Sequence, residues 1–100
     1  MPNVNIKKKA DIEKERLEQW RESASVSRFQ AKAIIHQYNL TQAVQDMMDD
    51  PETDAIVKLA WEDAQTFRRN SPTVKALAQT LELSDEQLDA MFEAASQIEA

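Results

Sequence analysis

The sequence predicts an all-α fold, a small bundle of five or six short helices, and three observations carry that reading. Among 100 residues there is no glycine, which argues against tight hairpins, phosphate-cradling loops and dinucleotide-binding turns, since all of these need positive φ or a close backbone approach. Apolar residues recur at helical spacing along most of the chain, among Ala, Gln, Glu, Leu and Lys, which are good helix formers. Finally, the periodic stretches are punctuated by helix-start signals: Ser or Asp followed by Gln, Pro or acidic residues.

Composition narrows the function classes. The absence of cysteine removes disulfides, thiolate metal sites and thiol catalysis together, and fits a reducing compartment. A single histidine, His36, rules out a His-pair metal site. No apolar run approaches the ~20 residues of a membrane helix, so no membrane contact is expected. Lys7 to Lys9 are not followed by an apolar stretch, so a secretory signal is not expected either. Charge is uneven. Residues 1–36 carry eight basic and five acidic side chains, a net +3, whereas residues 37–100 carry four and thirteen, a net −9. Most of the protein should therefore repel nucleic acid and anionic lipid.

Three segments are expected: a flexible basic arm over 1–9, a charged N-terminal helix over 10–24, and a helical domain over 25–100. The arm reads as a solvated tail, or as a segment that orders on an acidic partner. In the helix over 10–24, Lys14 and Glu18 are spaced i,i+4 and Glu18 and Arg21 i,i+3. Its apolar stripe is thin and must dock through Trp20.

The next helix opens with a capping box, Ser27 and Gln30, and runs to about Tyr38, with Asn39 as a left-handed cap. Phe29 and Ala33 point one way; Ala31, Ile34, Ile35 and Tyr38 point another. Such a helix is central to a core, or caught between core and partner. Thr41 is expected to cap a short helix whose Met47 and Met48 are either gap-filling core or a pliable surface. Asp50-Pro51 reads as the start of the longest helix, running to about Arg69. At about 100° per residue, Ile56, Leu59, Ala60, Ala64 and Phe67 share one arc, flanked by Val57 and Trp61. Asp63 lies inside that arc, so it is expected to be hydrogen-bonded to a helix N-terminus or an arginine. Arg68 and Arg69 would sit at the negative end of the helix dipole. Ser71 with Pro72, and Ser84 with Gln87, start the last two helices. Their inward residues are Val74, Leu77, Ala78 and Leu81, then Leu88, Met91, Phe92, Ala95 and Ile98.

The last two helices have the apolar spacing of a helix-turn-helix, without DNA-binding character. Glu82 stands at the turn position usually held by glycine. The second helix carries Asp85, Glu86, Asp89 and Glu93, and no Lys or Arg follows Lys75. Four carboxylates would not enter a groove lined by phosphates. The acidic cluster around Asp46 to Asp54 lacks a calcium-loop spacing. No catalytic, cofactor or metal site can be assembled, and an enzyme is not expected.

SRFQAKAIIHQYNL (27–40) and LAWEDAQTFRRNSPTVKALAQTLELSDEQLDAMFEAASQIEA (59–100) resemble a family of small helical proteins of tailed phages and prophages, encoded near tail-fibre genes and described as tail-fibre assembly or accessory proteins. The most specific parts are Trp61-Glu62-Asp63, the block from Phe67 to Pro72, and Leu81 to Phe92. Residues 1–24 lie outside the resemblance. It implies a non-enzymatic tail structural or assembly protein that binds a phage tail or tail-fibre protein, located in the host cytoplasm or in the virion. Candidate partner-binding residues are Trp20, Ile35, Tyr38 and Trp61, with homo-oligomerisation through the first helix as a further expectation. The alternative is an inhibitor that binds a host protein through its acidic surface.

Overall fold

The computed structural model describes residues 8–100. The described residues form six α-helices and one short two-stranded ribbon: α1 Lys9–Ser23, β1 Ser25–Ser27, α2 Arg28–Gln37, α3 Thr41–Asp49, α4 Ala55–Asp63, β2 Thr66–Arg68, α5 Pro72–Thr80 and α6 Asp85–Ala95. The mostly helical architecture agrees with the expected fold class. Residues 1–7 of the expected basic arm lie outside the described residues, while Lys9 already belongs to α1.

Local chemistry sets the helix ends. Ser27 Oγ accepts from the Gln30 N–H, and the Gln30 side chain accepts from the Ser27 N–H; Ser84 and Gln87 repeat the arrangement. Ser71 Oγ accepts from the Val74 N–H ahead of the first-turn Pro72. Helices α2 and α5 end in the same way. The Asn39 and Leu40 N–H groups donate to the carbonyls of His36 and Ile35. Those of Glu82 and Leu83 donate to Gln79 and Ala78. Both are Schellman caps, and each needs a left-handed residue: Asn39 at φ 59° and Glu82 at φ 56°. With no glycine in the chain, Glu82 takes a conformation that costs a residue bearing a Cβ roughly 1–2 kcal/mol.

Two expected caps are corrected. Thr41 is the first residue of α3 and makes no capping bond; Leu40 holds the cap position. Asp50 closes α3 and accepts from the Glu52 N–H in a turn, so α4 starts later, capped by Asp54, whose carboxylate accepts from the Ile56 N–H.

The long helix expected over 51–69 is the largest correction. It stops at Asp63, because Ala64 turns extended (ψ 137°). Thr66–Arg68 then pairs antiparallel with Ser25–Ser27, with Val26 opposite Phe67. Flanking bonds from Arg28 N–H to Gln65 O (3.0 Å) and from Arg69 N–H to Ala24 O (2.9 Å) extend the ladder. The ribbon thus supplies backbone partners that two further helical turns would have supplied. Its period-two alternation sends Val26 and Phe67 inward, each 4% exposed. An aromatic residue opposite a β-branched one adds about 0.2–1 kcal/mol over an Ala–Ala pair.

The core lies between the inner ribbon face, α2, α5 and α6, with Val44 and Met47 of α3 sealing one side. Its centre is Ile34, Ile35, Phe67, Leu77, Met91 and Phe92, all buried. A cavity of about 50 Å³ remains there, lined only by apolar side chains; a void of that character stays dry. Helix α4 packs on α5 yet buries no residue fully, and α1 buries none either.

Candidate functional site

Two surfaces stand out, one polar and one apolar. The polar one joins α1, the end of β2 and α6. Asp89, on the second turn of α6, receives a forked bond from Arg21 (Nε to both carboxylate oxygens at 3.1 and 3.0 Å, Nη2 to Oδ2 at 2.7 Å). On its other side Arg69 Nε donates to Oδ1 at 2.8 Å. Arg69 is 3% exposed, and its remaining donors reach Asp85 (3.2 Å) and Asn70 (3.4 Å). Burial pushes the Asp89 carboxyl up, but the hydrogen bonds and charges of Arg21 and Arg69 outweigh it and hold the group below the usual carboxylate range. The bond to Asp89 in turn raises the Arg21 guanidinium above its ordinary value.

A cleft of about 470 Å³ opens beside this network, lined by Glu18, Arg21, Arg69, Lys75, Asp85 and Leu88 among others. The cations Arg21, Arg69 and Lys75 line it together with the carboxylates of Glu18 and Asp85, and no histidine, serine or tyrosine does. Its chemistry is that of a strut tying α1 to α6. Among the described residues no group of three or more His, Cys, Asp or Glu side chains is placed to hold a metal ion. No helix among them is long and apolar enough to cross a membrane.

The pairing of Arg68 and Arg69 with a helix dipole is corrected by the same geometry. The two lie at the end of an extended strand, so they point to opposite sides. Arg68 is exposed and donates to Glu22 O (3.0 Å), while Arg69 enters the buried network. Arg21 serves Asp89 rather than pairing within its own helix; Lys14 and Glu18 remain a loose exposed pair at 4.0 Å.

Large apolar side chains are exposed on α4 and, separately, on and just after α2. Ile56 is 69% exposed, Leu59 53%, Phe29 49% and Tyr38 46%. The arc of Ile56, Leu59 and Asp63 does lie on one face of α4, but that face looks into solvent. Val57 and Trp61, on the flank, pack against the core instead. Asp63 is accordingly exposed, and its carboxylate has no hydrogen bond or ion pair among the described residues, contrary to the partner expected for it.

The four candidate partner-binding residues do not form one patch. Ile35 is buried in the core and closed to a partner; the helical phase that placed it beside Tyr38 turns both toward the interior, but α2 ends before Tyr38 is covered. Trp20 is half-buried and packs on the core edge as the anchor of α1. Trp61 is half-buried, with its ring 5.4 Å from that of Phe67 and the Lys32 ammonium 5.9 Å from its centroid. Only Tyr38 is exposed. Sequence reasoning missed Ile56 and Leu59 as surface residues and Asp89 as the hub of the polar network. The signal for the first pair was Asp63, since an acidic side chain within an apolar arc is an argument that the arc faces water. Compared with family models, curated proteins and solved structures, the chain matches none.

Proposed function

We propose that the protein is a non-enzymatic binding protein, a phage tail structural or tail-assembly accessory component that docks on another phage protein. The observation that carries the binding role is the set of large apolar side chains left in solvent on α2 and α4, Ile56 foremost at 69% exposure. Two large aliphatic side chains exposed one turn apart, as Ile56 and Leu59 are on α4, are a feature of docking surfaces. The polar network fits the same reading, because Arg21, Arg69 and Asp89 are bonded to one another in a tie between α1 and α6. The partner class comes from the resemblance of residues 27–40 and 59–100 to tail-fibre accessory proteins.

Affinity purification of the tagged protein from infected cells tests it. A tail or tail-fibre protein should be recovered at stoichiometric levels. Recovery of no tail component overturns the tail role. Recovery of a basic host protein, released at high salt, replaces it with host inhibition.

A further inference from the structure

The outward face of α4 carries more than exposed apolar area. Along one side of this helix run Ile56, Leu59, Glu62 and Asp63, at i, i+3, i+6 and i+7, all exposed. The first two are aliphatic and the last two acidic, so the face is graded from apolar to anionic along its length. The acidic pair sits in the last turn, where the helix dipole is already negative, and that turn contains no basic residue. Neither carboxylate has an ion-pair partner among the described residues. Three negative features therefore coincide at one helix end beside two solvated aliphatic side chains. A cation laid there would relieve the repulsion that the fold leaves uncompensated.

We propose that this face of α4 is a docking site for a basic amphipathic segment of the partner protein, a helix that lays aliphatic side chains on Ile56 and Leu59 and Lys or Arg on Glu62 and Asp63. The inference rests on the reading of the protein as a binding module and names the face and the chemistry of its partner. Complementary charge fixes the register, since reversing the partner helix would bring its cations over Ile56 and its apolar residues over the carboxylates. It also accounts for Asp63, which no internal contact explains.

The probe is a fluorescein-labelled synthetic amphipathic helix of leucine, alanine and lysine, about four turns long, followed by fluorescence anisotropy at low and physiological salt. Saturable binding is expected. Ile56→Ser with Leu59→Ser, and separately Glu62→Lys with Asp63→Lys, should each weaken it about tenfold or more. The second variant should instead gain affinity for the same peptide with glutamate in place of lysine. Glu93→Lys with Glu99→Lys changes net charge equally on exposed sites outside α4 and should alter binding less than about twofold. Circular dichroism verifies that all variants are folded.

Failure of the lysine peptide to bind overturns the site, as does equal weakening by the Glu93/Glu99 control. A wild type that sediments as a dimer, with the Ile56/Leu59 variant a monomer, assigns the face to a second copy and overturns the basic partner. The tail role is separable. A tail component recovered equally by wild type and by the Ile56/Leu59 variant leaves that role standing and removes α4 from it. Peptide binding as expected, with no tail component recovered, does the reverse.

Discussion

Replacing Asp89 with alanine should cost more stability than any surface charge change in this protein. The carboxylate is only 16% exposed and stands between two guanidiniums, of which Arg69 is 4% and Arg21 22% exposed along their side chains. Its removal takes all four charge-assisted bonds at once. Arg21 can turn to water, so its loss is modest. Arg69 cannot; it keeps the 3.2 Å bond to the Asp85 carboxylate, whose side chain is 76% exposed and a weak partner, and long contacts to the Asp85 carbonyl (3.5 Å) and to Asn70 (3.4 Å). Leaving one member of a buried pair uncompensated typically costs about 3–5 kcal/mol. The residual Asp85 contact puts this case near the lower end, about 3 kcal/mol. For a chain of this size that lowers Tm by roughly 12–24 °C, out of a total stability of about 5–15 kcal/mol. Urea unfolding followed by the fluorescence of Trp20 and Trp61 measures it. The companion variant is Arg69→Met with Asp89→Leu, which removes charge from both sides and should retain more stability than either single change. A loss below about 1 kcal/mol for Asp89→Ala, or a double variant at the sum of the singles, would refute the buried-network argument.

The remaining predictions are smaller. Because the folded-state Asp89 carboxyl is held below its usual range, its contribution is fully present above the unfolded value of about 3.9 and disappears as pH falls through the lower folded value. The stability gap between wild type and Asp89→Ala should therefore stay constant from neutral pH to about pH 4 and shrink only below it; a gap already closing near pH 6 contradicts the sign. Ser27→Ala should cost about 1 kcal/mol, because its hydroxyl caps α2, whereas Thr41→Ala should be nearly neutral, because Leu40 holds the cap position of α3 and Thr41 makes no capping bond. Equal losses from the two would show that the capping geometry does not govern either helix end.

What could be read from the sequence is what is local. The Ser27–Gln30 and Ser84–Gln87 boxes lie within one turn, so four consecutive residues carry the whole interaction. Asn39 as a left-handed cap, and the inward faces of α5 and α6, follow from spacing in the same way. The ribbon could not be read so. It joins residues some forty positions apart through three residues on each side, and both Ser-Val-Ser and Thr-Phe-Arg are too short to show a period. Missing it extended α4 by six residues and turned Arg69 from a buried ion partner into a dipole residue. The candidate site was half legible. The arc containing Ile56, Leu59 and Asp63 could be drawn from the sequence, but which side of α4 meets the core depends on where α5 lies, and helical phase does not contain that.

The ribbon also sets how the molecule would bear a pulling force. Strand β1 is entered from α1 at Ser25 and β2 is left toward α5 at Arg68, and these two residues are paired. The chain therefore enters and leaves the ribbon at the same end. Tension between the N-terminal helix and the C-terminal hairpin would open it like a zipper, one rung at a time, beginning with the Arg69–Ala24 bond. Shearing, which would load every rung together, is excluded by the antiparallel direction. The bridge from Arg21 to Asp89 stands at that same end. It ties α1 to α6 ahead of the first rung, so tension reaches this one carboxylate before it reaches the ladder.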